Sequence, residues 1–115
     1  MSYKINIEKA SVKNSFYRKV LFTTKQLQLV LMSLKPNEEI GLERHSKTTQ
    51  FIRVEQGHGI AYVNNKRILL KAGTALVIPQ KTWHNIINTG KRSMKLYTIY
   101  SPPEHPKKLV EKNKI

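Results

Sequence analysis

The sequence predicts an all-β fold, a small jelly-roll barrel in one domain. From Gln26 onward, short apolar runs alternate with turn residues at regular intervals, which is typical of barrels and sandwiches of antiparallel strands. No stretch sustains the apolar repeat of an amphipathic helix. A chain of 115 residues with 39% hydrophobic residues is long enough for one core and too short for a second domain.

The strands of the barrel are expected where the apolar runs fall. These runs cover residues 27–34, 39–45, 50–56, 59–63, 67–71, 75–79, 84–88 and 94–100. Asn64 and Asn65 separate two of the runs, and because Asn tolerates positive φ, they predict a two-residue hairpin.

The two ends of the chain are less regular than the barrel, which is expected over residues 27–103. Residues 1–26 are expected to form one or two edge strands, which could cover a barrel face or act as a dimer arm. Residues 104–115 predict a flexible basic tail. Since no run has the length of a membrane span and the N-terminus lacks the apolar segment of a signal peptide, we expect a cytoplasmic protein with no membrane partner.

The net charge of +14 is the strongest oddity of the composition. It suggests an anionic partner, which could be nucleic acid, anionic lipid or a phosphorylated small molecule. Aspartate is absent while Lys, Asn and Ile are abundant, and codon bias in an AT-rich genome would give the same result. The lysines are dispersed and no aromatic stacking motif accompanies them, so we do not expect specific nucleic-acid binding. Without cysteine, disulfides and thiolate metal sites are excluded.

Two separated stretches carry side chains that bind metals. Glu43 and His45 are two residues apart, so on a strand they project from one face and can direct an oxygen and a nitrogen at one point. Gln50 and His84 from neighbouring strands would complete a mixed N/O set, which suits Mn, Fe, Ni, Cu or Zn. The alternatives are histidines hydrogen-bonded to the backbone, an exposed Glu43 carboxylate, and a Gln50 that marks a decayed site.

The spacing of these residues resembles the paired motifs of the cupins. The first cupin motif runs from a glycine through a His-x-His pair and an acidic residue to a second glycine. Glu43 stands where the first His is usual, and Gln50 takes the acidic position. The matching residues are Glu43, His45, Gln50 and Gly57 in the first motif, and Gly73, Pro79, His84 and Asn88 in the second. Lys81 replaces a glycine of the second motif.

The resemblance covers roughly residues 27 to 103 and is strongest to small RmlC-like cupins described as mannose-6-phosphate-isomerase-like. It implies a cupin-type jelly-roll barrel, or double-stranded β-helix, and a homodimer. It also implies one divalent transition metal per chain, bound by Glu43, His45, Gln50 and His84. The structural residues that it implies are Gly57, Gly73, Pro79 and Asn88.

The function expected from this reasoning is a metal-binding barrel that holds a small polar or anionic ligand, such as a sugar phosphate. Arg53, Tyr97 and Tyr100 are candidate ligand-binding residues, with packing on the sheet surface as the alternative. Isomerase, lyase and dioxygenase activities all occur on this fold, and the fold does not choose among them. Because no general base remains once Glu43 and the motif histidines bind metal, a non-catalytic binding or sensing module is the alternative, and a basic nucleic-acid-associated protein is a third.

Overall fold

Two antiparallel sheets build the structure, a computed structural model that describes residues 1–114. The elements in chain order are α1 (Ile7–Lys13), β1 (Arg18–Thr23), β2 (Gln28–Leu34), β3 (Thr49–Gln56), β4 (His58–Val63), β5 (Lys66–Lys71), β6 (Ala75–Ile78), β7 (His84–Asn88), β8 (Met94–Ser101) and β9 (Val110–Glu111). The larger sheet has the strand order β6-β3-β8-β2-β1-β9, and the smaller sheet has the order β5-β4-β7. The all-β jelly-roll prediction is confirmed.

Side chains that alternate along the strands fill the space between the sheets. On β3, Gln50, Ile52 and Val54 are buried, while the residues between them are partly exposed. The smaller sheet contributes Ala61 and Ile86 to the same core cluster. Burial of one face of each strand is what a period-two apolar pattern predicts.

The hairpin between β4 and β5 also follows the sequence prediction. Asn64 and Asn65 have φ angles of 48° and 68°, and Val63 pairs with Lys66 across the turn. Two consecutive residues with positive φ give the tight turn that matches the twist of an antiparallel pair.

The stretch 39–45 differs from the predicted strand. It makes isolated bridges instead, Glu39 with Ile87 and Glu43 with His84. The physical reason is Gly41, whose φ of 108° interrupts the extended backbone. The bridge at Glu43 still fastens this stretch to β7.

The N-terminal residues also differ from the predicted edge strands. Residues Ile7–Lys13 form a helix, capped by the Asn6 side chain, which accepts a hydrogen bond from the Lys9 backbone N–H at 3.1 Å. A helix of seven residues is too short to leave a clear apolar period in the sequence. The strand β1 lies inside the larger sheet, between β2 and β9. Dimerisation therefore stays a prediction. Unpaired strands at the N-terminus no longer support it, because β1 is paired on both sides.

The C-terminal segment, residues 104–114, lies along β1. Val110 pairs with Lys19, and the Arg18 guanidinium contacts the Glu111 carboxylate at 2.6 Å. The Val20 backbone N–H donates to the Leu109 carbonyl at 2.9 Å. These bonds bring the end of the chain back over the barrel. Within residues 1–114, no helix is long and apolar enough to cross a membrane.

Candidate metal centre

Glu43, His45 and His84 form a cluster inside the barrel. One potential ligand atom from each residue lies within 4.8 Å of the other two. The Glu43 Oε1 atom is 3.4 Å from Nε2 of His45 and 3.4 Å from Nε2 of His84. The fold therefore brings together the three residues that the sequence predicted from two separate stretches.

Backbone pairing holds the cluster in place. The Glu43 N–H donates to the His84 carbonyl at 2.9 Å, and the His84 N–H donates to the Glu43 carbonyl at 3.0 Å. The Lys81 N–H donates to the His45 carbonyl at 2.7 Å. Because the turn before β7 thus bonds to the stretch that carries the first two ligands, the three side chains keep one relative position.

The hydrogen bonds of the two imidazoles orient both Nε2 atoms toward the cluster. Nδ1 of His84 lies 2.8 Å from the Thr82 carbonyl oxygen, and Nδ1 of His45 lies 3.3 Å from the Glu104 carboxylate. Since a carbonyl oxygen only accepts, Nδ1 of His84 carries the hydrogen, which leaves Nε2 as the atom that can bind a metal. Metal-binding histidines are fixed by this kind of outer hydrogen bond.

Gln50 presents an oxygen in the same buried region. Its amide nitrogen donates to the Thr98 hydroxyl at 3.0 Å and to the Tyr100 hydroxyl at 3.3 Å. Each hydroxyl can accept a hydrogen bond from the amide N–H₂ group. The Oε1 atom is buried and has no hydrogen-bond partner among the described residues.

The unpartnered atoms of His45 and His84 fit a metal ion, and Gln50 carries a further unpartnered atom in the core. His45 Nε2, His84 Nε2 and Gln50 Oε1 are all buried without a hydrogen-bond partner in residues 1–114. Leaving a buried acceptor unpaired costs about 1–3 kcal/mol, so two such nitrogens beside one carboxylate require a cause. A divalent cation would accept a lone pair from each of them and from the Glu43 carboxylate.

The electrostatics of the cluster favour a charged Glu43. Burial raises the pKa of this carboxyl, but His45 and His84 more than offset the effect and bring the pKa to about 2. In return, Glu43 raises the pKa of His45 above its ordinary value. The carboxylate is therefore available to a cation at neutral pH.

The three candidate ligand-binding residues fall on opposite faces of the larger sheet. Tyr100 is buried beside the cluster, with its ring edge-on to His45 at 5.7 Å between centroids. Arg53 and Tyr97 point outward, where Arg53 contacts Glu55 at 3.1 Å and Tyr97 packs against Phe51 at 6.1 Å between centroids. Of these three residues, only Tyr100 therefore faces the metal centre.

The motif residues implied to be structural lie in turns and at strand ends. Gly57 and Gly73 have φ angles of 85° and 91°, and Pro79 follows the last residue of β6. Asn88 donates to the Leu34 and Arg92 carbonyls, both at 2.9 Å. Lys81 has a φ of 66°, so it keeps the left-handed conformation that a glycine would adopt without strain.

Sequence reasoning missed two residues beside the centre, Glu104 and His105, because it assigned them to a flexible tail. Gln28 fastens them: its Oε1 accepts from the backbone N–H groups of Glu104 and His105 at 3.2 and 3.0 Å, and its Nε2 donates to the His105 carbonyl at 2.8 Å. The signal that could have found them is a glutamine at an inward strand position, in line with Val30 and Met32.

The fold and the comparisons with known proteins define the class of protein. The cupin-domain family model matches residues 30–100, and the chain belongs to the cupin family. The Bacillus subtilis (strain 168) protein YrkC, described as uncharacterised, is 44% identical over 110 residues, which are 90% of this chain and 59% of YrkC. The chain thus spans less than two thirds of that relative.

Two further comparisons agree with this assignment. A protein of Acanthamoeba polyphaga mimivirus, also described as uncharacterised, is 45% identical over 108 residues, which are 90% of this chain and 68% of that protein. The crystal structure of BH2720 from Bacillus halodurans matches this chain with a TM-score of 0.96 at 39% identity. The match covers 97% of this chain and 89% of the BH2720 chain. None of these names specifies a substrate.

Proposed function

We propose that this chain is a metal-dependent cupin that holds a small polar or anionic molecule in its barrel. Glu43, His45, Gln50 and His84 would bind one divalent first-row metal. The observation that carries the proposal is that the buried, unpartnered Nε2 atoms of His45 and His84 lie within 4.8 Å of each other and of a Glu43 carboxylate oxygen. Two imidazole nitrogens and two oxygens form a donor set that suits Mn, Fe, Ni, Cu or Zn.

Four protein ligands would leave open positions on a metal that takes five or six. A metal bound there with open positions would act as a Lewis acid and polarise a carbonyl or carboxylate oxygen of a bound molecule. The chain itself contributes orientation, since His84 bonds to the Thr82 carbonyl and His45 contacts the Glu104 carboxylate. The barrel walls supply Ile52 and Ile86, which exclude water.

A non-catalytic binding or sensing module is the second candidate. The observation that favours it is that Glu104, a carboxylate beside the centre that would not be a ligand, contacts His45 at 3.3 Å. A carboxylate engaged in this way orients an imidazole and is not free to accept a substrate proton. Turnover assays with sugar phosphates, keto acids and catechols separate the two candidates, because saturable binding without turnover supports the module.

Elemental analysis of protein purified without chelator tests the metal site. We expect close to one metal per chain in the unmodified protein and less than about a tenth of that in the His45→Ala/His84→Ala double variant. The matched control is His58→Ala, since His58 is exposed at the start of β4. If the unmodified protein takes up no metal even after soaking with each candidate ion, the proposal fails.

A further inference from the structure

Arg18 is a charged residue whose side chain points into the barrel. It pairs with Met32 across β1 and β2, and Met32 is fully buried on the inner face. Paired residues of neighbouring strands point to the same side of a sheet. Only 12% of the Arg18 side chain is exposed. An arginine is rarely buried to this degree unless a partner or a ligand accounts for it.

The contacts of Arg18 leave one edge of its guanidinium unused. Nη1 donates to Glu111 at 2.6 Å, and the group lies over the Tyr17 ring at 5.0 Å. The Nε atom is buried and has no hydrogen-bond partner within the part of the chain that the structure describes. Glu111 therefore accounts for one N–H group and leaves a buried charged donor without an acceptor.

A second buried atom without a partner belongs to His105. Nε2 of His105 is buried and has no partner among residues 1–114. The His105 ring stands edge-on to Tyr100 at 5.0 Å, and Tyr100 stands edge-on to His45 at 5.7 Å. Tyr100 therefore separates His105 from the metal centre by one ring.

The positive charge of Arg18 acts on the His105 ring. Burial lowers the pKa of His105, and Arg18 lowers it further. The strand pairing gives the same direction, since Arg18 lies opposite Met32 on the inner face of the sheet.

We propose that Arg18, together with His105, binds a carboxylate of the molecule held in the barrel. This inference rests on the proposed function, because it assumes that the ligand lies between the metal centre and Arg18. The free Nε edge of a guanidinium matches one carboxylate oxygen, and the His105 N–H would serve the other. Since Glu111 already balances the charge of Arg18, a monoanionic carboxylate suits the subsite better than a phosphate dianion.

Calorimetric titration with small dicarboxylates tests the subsite. The probes are malonate and succinate, their monoamides, and inorganic phosphate, each added to metal-loaded and to metal-free protein. Malonate and its monoamide share one carboxylate for the metal and differ only in the group offered to Arg18. We expect at least one of the two dicarboxylates to bind about tenfold more tightly than its monoamide.

Three variants separate the possible roles of Arg18. Arg18→Gln is expected to lose about tenfold in dicarboxylate affinity and to bind the monoamide as before. Arg67→Gln removes the same charge from an exposed position on β5 and is expected to change neither affinity by more than about twofold. Glu111→Gln is expected to bind the dicarboxylate at least as tightly as the unmodified protein. If Arg18→Gln does not fold, Arg18→Lys tests the inference instead, because lysine keeps the positive charge and lacks the planar guanidinium group with its several N–H donors.

Each result either supports or overturns the inference. Equal affinities for dicarboxylate and monoamide overturn it, and so does tighter binding of phosphate than of both dicarboxylates. Equal losses in Arg18→Gln and Arg67→Gln would reduce the effect to general charge. If Glu111→Gln loses as much dicarboxylate affinity as Arg18→Gln, the ion pair only holds the C-terminal segment in place, and the inference is overturned. If no metal binds, the proposed function fails, and the metal-free titrations alone decide on Arg18.

Discussion

Replacing Glu104 with glutamine should weaken metal binding although Glu104 is not a proposed ligand. Its carboxylate lies 3.3 Å from Nδ1 of His45, on the side of the ring opposite to the metal centre. The carboxylate holds the imidazole in one orientation and makes Nε2 a stronger donor. Glu104→Gln keeps a hydrogen-bond acceptor at this position and removes its charge.

The magnitude follows from the type of contact and its exposure. Loss of an outer partner of a metal-binding histidine typically lowers metal affinity by about 10–100-fold, which is about 1.4–2.7 kcal/mol. The Glu104 side chain is 35% exposed, so solvent screens part of its charge. We therefore expect a loss of about tenfold in Glu104→Gln and a larger loss in Glu104→Ala, which removes the acceptor as well.

A competition titration measures this effect. Protein and a chromophoric chelator share a limiting amount of Zn²⁺ or Ni²⁺, and the absorbance of the chelator gives the Kd. Glu8→Gln is the matched control, because Glu8 is an exposed carboxylate in the first turn of α1. An affinity of Glu104→Gln within about twofold of the unmodified protein would refute the role given to this carboxylate.

Three further predictions concern the backbone and the C-terminal segment. Lys81→Gly should raise the free energy of unfolding, measured by urea titration, by up to about 1 kcal/mol, because Lys81 has a φ of 66° that glycine adopts without strain. The control Lys71→Gly in β5 should lower it by about 0.5–1 kcal/mol. Gln28→Ala should lower the free energy of unfolding by about 2–3 kcal/mol, because it removes the acceptor for two backbone N–H groups. The same variant should speed amide hydrogen exchange in the C-terminal segment, and unchanged exchange would contradict the anchoring role of Gln28. Burial and Arg18 lower the pKa of His105 below its unfolded value of about 6.5, so its stabilising effect is complete above that value and is lost as the pH falls through the lower, folded pKa. His105→Gln should therefore reduce the loss of Tm between about pH 7 and pH 5, and an identical pH profile would count against this assignment.

Half of the candidate metal centre was predictable from strand geometry, because Gln50 and His84 lie on strands, whereas Glu43 and His45 lie in a stretch that makes only isolated bridges. The alternation that makes Ile52 and Val54 core residues also points Gln50 inward, and β7 begins at His84 as its apolar run indicated. The same alternation places Arg53 outward, so its inclusion among ligand-binding residues conflicted with the pattern itself.

The remaining features depend on contacts that no local pattern contains. The ion pair of Arg18 and Glu111 joins residues 93 positions apart, and Gln28 bonds to His105 across 77 positions. Pro- and Lys-rich sequence at the end of the chain is typical of mobile tails, and only the pairing with β1 reveals another arrangement. The stretch before β3 reads as a strand because its apolar residues alternate, although Gly41 interrupts the backbone.

Anomalous X-ray scattering from crystals grown with the bound metal tests the central claim most directly. Data collected above and below the absorption edge locate the ion without reference to the ligands. We predict one anomalous peak per chain, at about 2.0–2.2 Å from Nε2 of His45, Nε2 of His84 and one oxygen each of Glu43 and Gln50. A metal-loaded protein whose peak lies elsewhere, or whose peak contacts neither histidine, would contradict the account.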